Sequence, residues 1–148
     1  MKGKVLLVLI VGLVLAAAQP KEEVKRDLEK LQGTWIVASL IADGKEVPAE
    51  DLKDLRVVIK DNTYTLYVKD KVFEEGTFTI DPTKKPKTID STPTSGPNKG
   101  KKSLGIYEIE GDTLKMASGP AGKDQRPKEF ASKPGTEDEL AVYKREKK

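Results

Sequence analysis

With neither histidine nor cysteine anywhere in the chain, carboxylates are the first candidates for any acid–base chemistry. Their absence excludes imidazole-based acid–base catalysis, Ser-His-Asp and Cys-His nucleophiles, structural zinc sites and histidine-ligated haem. Asp81 and Asp90 bracket a proline-containing loop, and Glu74-Glu75 and Glu108-x-Glu110 supply further acids. A glycosidase needs two carboxylates held at a defined separation across a cleft. Nothing in the spacing sets such a pair apart from the surface acids of a chain that is 34% charged. Glu137-Asp138-Glu139 lacks the alternating ligand positions of a calcium loop and reads as a solvated turn. Gly111, Gly119 and Gly122 do not sit between a strand and a helix, as a phosphate cradle requires. The four tyrosines stand on three of the strands expected below, Tyr64 and Tyr67 on the same one, and read as core and rim residues. The expectation is a protein with no catalytic residue, no metal site and no cofactor.

What remains for function is binding, so the elements that would build a pocket matter. The one tryptophan, Trp35, follows Leu31-Gln32-Gly33-Thr34 and precedes an apolar run, Ile36 to Ile41. Ahead of it, Val24, Leu28 and Leu31 fall at i, i+4 and i+7 among charges, which predicts a helix over Lys21–Leu31. Pro20 stands where proline is tolerated, and Gly33 breaks the pattern. A three-turn helix is marginal alone, so its stripe must dock across one end of the strand assembly. A second short helix is expected over Pro48–Leu55, with proline in its first turn.

Strands are expected at Thr34–Ala42, Arg56–Lys60, Thr63–Lys69, Val72–Ile80, Lys87–Thr92, Ser103–Glu110, Thr113–Ser118 and Leu140–Glu146. Gly76 reads as a bulge or bend, and Glu129–Ser132 as a short extended piece. Asp43-Gly44, Asp61-Asn62, Asp70-Lys71 and Gly111-Asp112 are turn signals. Short strands at near-regular spacing argue an all-β sandwich or barrel. Hairpin-like connections favour an eight-stranded up-and-down antiparallel barrel, whose interior holds packed side chains or one small ligand.

The N-terminus reads as an export signal over residues 1–18. Lys2 and Lys4 open it, Val5 to Leu15 is apolar, and Ala16-Ala17-Ala18 supplies the small residues before a cut. The apolar run is shorter than the roughly 20 residues a membrane span needs. Removal of 18 residues leaves 130 of the 148, expected to form one domain. Two of the 27 basic residues lie in that leader, so 25 then face 24 acidic ones. That balance gives no support for nucleic-acid binding. Lys84, Lys85 and Lys87, and Lys99, Lys101 and Lys102, read as solvated loop clusters. An exported monomer, with no membrane attachment after cleavage, is expected.

Several segments resemble one family. They are Leu31-Gln32-Gly33-Thr34-Trp35, Asp43-Gly44-Lys45-Glu46-Val47-Pro48 and Leu52-Lys53-Asp54-Leu55-Arg56. Asp81-Pro82-Thr83-Lys84-Lys85-Pro86-Lys87-Thr88-Ile89-Asp90, Gly96-Pro97-Asn98-Lys99-Gly100 and Gly105-Ile106-Tyr107-Glu108 continue the series. Gly111-Asp112-Thr113-Leu114-Lys115, Arg126-Pro127, and Phe130 with Ser132-Lys133-Pro134-Gly135 complete it. In that order they resemble an uncharacterised lipocalin-like (calycin) domain abundant in planctomycete bacteria, over almost all of residues 28–146. The resemblance implies a calycin-type barrel in an exported protein and implies no established activity. In lipocalins the first-strand tryptophan often packs under an arginine near the end of the last strand. That would pair Trp35 with Arg145 and close the barrel floor; Arg126 is the rival partner.

The candidate ligand-binding residues of the barrel interior are Trp35, Val37, Ser39, Tyr64, Leu66, Phe78, Tyr107 and Met116. Ile41, Val57, Ile59, Val68, Ile80, Ile89, Ile106, Leu114, Leu140 and Val142 are also expected to point inward. Two functions are open. Either the barrel holds a small hydrophobic ligand among a few polar groups, or its interior is filled. In the second case the loops at 93–101 and 119–128 would bind a protein or a cell-envelope partner.

Overall fold

The computed structural model describes residues 20–147; the expected export signal lies outside the described residues. The first element is a helix, α1, over residues 20–31. Its stripe is Val24, Asp27, Leu28 and Leu31, the i, i+3, i+4, i+7 pattern of one helix face. Leu31 is fully buried, and Asp27, a carboxylate on that stripe, is buried with it. Full burial of a leucine contributes about 2 kcal/mol, which helps hold a helix too short to persist alone.

Nine strands and a second helix come after it: β1 (Gly33–Ala42), β2 (Lys45–Glu46), α2 (Ala49–Leu52), β3 (Leu55–Lys60), β4 (Thr63–Val68) and β5 (Lys71–Asp81). The remainder are β6 (Lys87–Pro93), β7 (Ser103–Glu110), β8 (Thr113–Ser118) and β9 (Glu139–Arg145). From β3 to β9 each strand pairs antiparallel with the next, β3 pairs with β1, and β9 returns to β1. Eight strands therefore close into an up-and-down antiparallel barrel. The two-residue β2 is an appendage on β1, opposite Ile41 and Ala42. The α2 helix buries Leu52 beside β1.

Alternation along each strand decides what fills the barrel. The floor cluster is Leu31, Trp35, Ile59, Phe78, Ile89, Tyr107 and Leu114, all buried. Two bulges break the alternation. In β1, Val37 opposes Tyr143 while Ser39 opposes Val142, so Ala38 is the extra residue. The inward set thus runs Trp35, Val37, Leu40, and turns Ser39 and Ile41 to the outer face. In β5, Leu66 opposes Glu74 while Tyr67 opposes Val72, making Phe73 the extra residue.

Gly76 is not the bulge. It sits in regular register opposite Tyr64, whose ring lies where a Cβ at position 76 would stand. Glycine here makes room for an aromatic ring laid across the neighbouring strand. Residues 129–132 form no strand. They belong to a long connection, 119–138, that crosses the outside of the barrel. It is held there by Arg126 donating to the Gly105 carbonyl (2.8 Å), Ser132 accepting from the Gly44 amide (3.1 Å) and Asp43 accepting from the Gly135 amide (2.7 Å). Ile106 and Ala117, paired on the outer face of β7 and β8, are buried. Leu140 and Val142 also face outward, because the regular β8–β9 register puts Ala141 and Tyr143 inside with Met116 and Leu114.

Candidate ligand-binding site

The barrel is closed at one end. Trp35, fully buried, donates from Nε1 to the Leu31 carbonyl at 2.8 Å, which ties the last turn of α1 to the first strand. Arg145, at the end of β9, stands over the indole with its guanidinium carbon 4.3 Å from the ring centroid. The same guanidinium donates to the carbonyls of Gln32 and Lys30, both at 2.6 Å, satisfying acceptors left over at the helix end. Arg126 is elsewhere, on the outer wall, 2.7 Å from Asp90 Oδ1. That oxygen makes no aligned hydrogen bond, so the charge on Arg126 is what compensates it.

Beside the tryptophan, Tyr107 and Lys87 both donate to Asp27 Oδ2 at 2.8 Å. Burial, and secondly donation to Asp27, push the Tyr107 hydroxyl well above its ordinary pKa, so it stays a donor. This trio anchors α1 to β6 and β7. Lys87 is accordingly half-buried against α1 and is not part of a solvated lysine cluster.

Above the floor lies a cavity of about 250 Å³. Trp35, Ile59, Phe78, Ile89 and Leu114 line its base, and Val37, Val57, Tyr64, Leu66, Met116 and Tyr143 its wall. Its rim is set by strand ends, with Leu40, Leu55, Glu74, Ser91, Ser118 and Glu139. Of the residues expected inside, Trp35, Val37, Tyr64, Leu66, Phe78 and Met116 come together on this one cavity. Ser39 does not, because of the β1 bulge. Tyr107 does not, because it is spent at the floor on Asp27.

The charged groups at the rim, Glu74 and Glu139, are both acidic, beside the neutral Ser91 and Ser118. Tyr64 donates to Glu74 Oε1 at 2.7 Å, and burial together with that bond raises the tyrosine's pKa far above ordinary. Glu139 is raised by burial first and by the charge on Glu74 second. Water reaches Glu139, which is exposed at the mouth, and moderates the burial contribution. Repulsion from Glu74 is then the cause specific to this pair. Tyr143 is pushed up to about 12, by burial and then by Glu139. In the sequence Glu74 reads as one of a surface pair and Glu139 as part of a solvated turn. The signal that would have found them is parity: Glu74 shares the face of Phe78, and Glu139 that of Arg145.

No family model, curated protein or solved structure matches the chain. Its own geometry defines its class: a closed eight-stranded antiparallel barrel, plugged at one end and hollow at the other, a form compatible with the lipocalin-like binding fold. Among the described residues no helix is long and apolar enough to cross a membrane, and no group of three or more acids could hold a metal ion.

Proposed function

We propose that the chain is an exported, non-catalytic binding protein of the lipocalin-like kind, which takes one small, mostly apolar ligand into the barrel. The observation that supports this reading is the 250 Å³ cavity with an apolar base and a few polar groups confined to its rim, the usual composition of a small-molecule site. An apolar cavity of about 150 Å³ accepts benzene. By proportion this one suits a ligand of about ten non-hydrogen atoms. The filled-barrel alternative required an interior without such a space.

Titration calorimetry of the full chain with 2-phenylethanol, a neutral probe of that size, tests the reading. Saturable one-to-one binding is expected, abolished by Leu66→Trp, which fills the wall of the cavity. Failure of every small aromatic probe of this size, neutral or charged, to bind overturns it.

A further inference from the structure

Two carboxylates, Glu74 and Glu139, line the cavity, and among the described residues no lysine or arginine does. Neither acid takes part in an ion pair among the described residues. They stand on β5 and β9, on different sides of the rim, yet near enough for the charge on one to disfavour ionisation of the other. Tyr64 supplies one donor, to one oxygen of Glu74. The wall below presents Trp35, Phe78, Tyr64 and Tyr143, and aromatic faces attract cations as well as apolar groups.

We propose that the ligand is a small primary amine in its protonated form, its apolar body against Trp35 and Phe78 and its ammonium between Glu74 and Glu139. This deepens the binding reading above and rests on it. An ammonium has three donors and no acceptor, which matches a rim offering carboxylate oxygens. A cation placed there also removes the repulsion between the two acids. A fatty acid or any other anion-headed amphiphile would add a third negative charge to a rim that, among the described residues, holds no compensating cation. The exposed Val72 and Phe73 of the β4–β5 tip, next to Glu74, give the mouth an apolar lip over which such a molecule can pass.

The test compares three probes of matched size on the full chain at pH 7 by calorimetry: 2-phenylethylamine, 2-phenylethanol and phenylacetate. The amine is expected to bind about tenfold or more tighter than the alcohol, the scale of one charge-assisted hydrogen bond. Phenylacetate is expected to bind weakest. Glu139→Gln should erase the amine's advantage over the alcohol, and a cooperative melt followed by Trp35 emission reports that the variant is folded. Glu74→Gln should reduce the advantage in the same direction. If amine and alcohol bind equally, or if both variants keep the wild-type preference, the amine proposal falls and the binding cavity stands. If none of the three binds, both fall.

Discussion

Arg145 stands over the Trp35 ring at 4.3 Å while its two terminal nitrogens reach back to the carbonyls of Lys30, in the last turn of α1, and Gln32, just after it. One side chain thus joins the last strand, the first strand and the helix that plugs the barrel. The planar fork of a guanidinium suits this double task; an ammonium on a flexible stem does not. Arg145→Ala is expected to destabilise the fold by about 3 kcal/mol, for two charge-assisted bonds to carbonyls, a longer, exposed one to Asp112 Oδ1 and a cation–π contact. Arg145→Lys should recover less than half. Urea unfolding followed by Trp35 emission measures both, and equal stability of the lysine variant and wild type would count against the fork.

Asp27 carries the second tie between helix and barrel. It is 5% exposed and accepts from Tyr107 and Lys87, so removing it leaves a buried hydroxyl and an ammonium without a partner. Asp27→Ala should cost about 2–3 kcal/mol, below the range for a wholly buried pair because Lys87 keeps contact with water. Tyr107→Phe should cost about 1 kcal/mol. The double variant should lose less than the two singly, since both remove the same bond. Strict additivity in denaturant melts would show that Tyr107 and Asp27 act independently.

These two ties mark where the sequence was readable. The helix, the strand positions and the barrel follow from hydrophobic period and turn residues, which are local signals. Which face of a strand points inward is not local where both faces are apolar. On β9 the pairs Leu140/Val142 and Ala141/Tyr143 are equally eligible, because the 119–138 connection covers part of the outer wall. Arg145 resolves it: if that residue meets Trp35 inside, then Tyr143, Ala141 and Glu139 are inside as well. Ser39 shows the opposite case, since one extra residue at Ala38 reverses the face and leaves no mark in composition. Asp27 looked like one more surface charge, although its i+3 spacing from Val24 put it on the apolar stripe.

Gly76 should tolerate no side chain. A Cβ there would stand 2.5 Å from the Tyr64 ring, so Gly76→Ala must push the ring off β5. The Tyr64–Glu74 hydrogen bond breaks with it, and the displaced ring moves toward the cavity. A loss of about 1–3 kcal/mol, the scale for overpacking, and weaker binding of any interior probe are expected together. Tyr64→Phe keeps the ring and removes only the bond, so it should cost about 1 kcal/mol. Should Gly76→Ala match Tyr64→Phe in melting and binding, the ring has not moved and the account of this glycine fails.

Glu139 should be a residue whose removal makes the protein more stable. Its pKa in the folded state is raised, by burial and by Glu74, so the folded chain holds the proton more tightly than the unfolded one. Stability from this group is therefore fully present below the ordinary glutamate pKa of 4.5 and is lost as pH rises through the raised folded value. At pH 7 the carboxylate is ionised in an unfavourable place. Glu139→Gln, which cannot ionise, should raise Tm by a few degrees at pH 7. Relative to that variant the wild type should regain stability as the pH is lowered through the raised value toward 4.5. A surface glutamate with a helpful partner gives the reverse pattern: its glutamine variant is less stable at pH 7, and the difference shrinks in acid. Thermal melts of both proteins across this range decide between the two. Lower stability of Glu139→Gln at pH 7 would mean that the rim acid already has a cation to neutralise it, leaving no uncompensated charge for a ligand to meet.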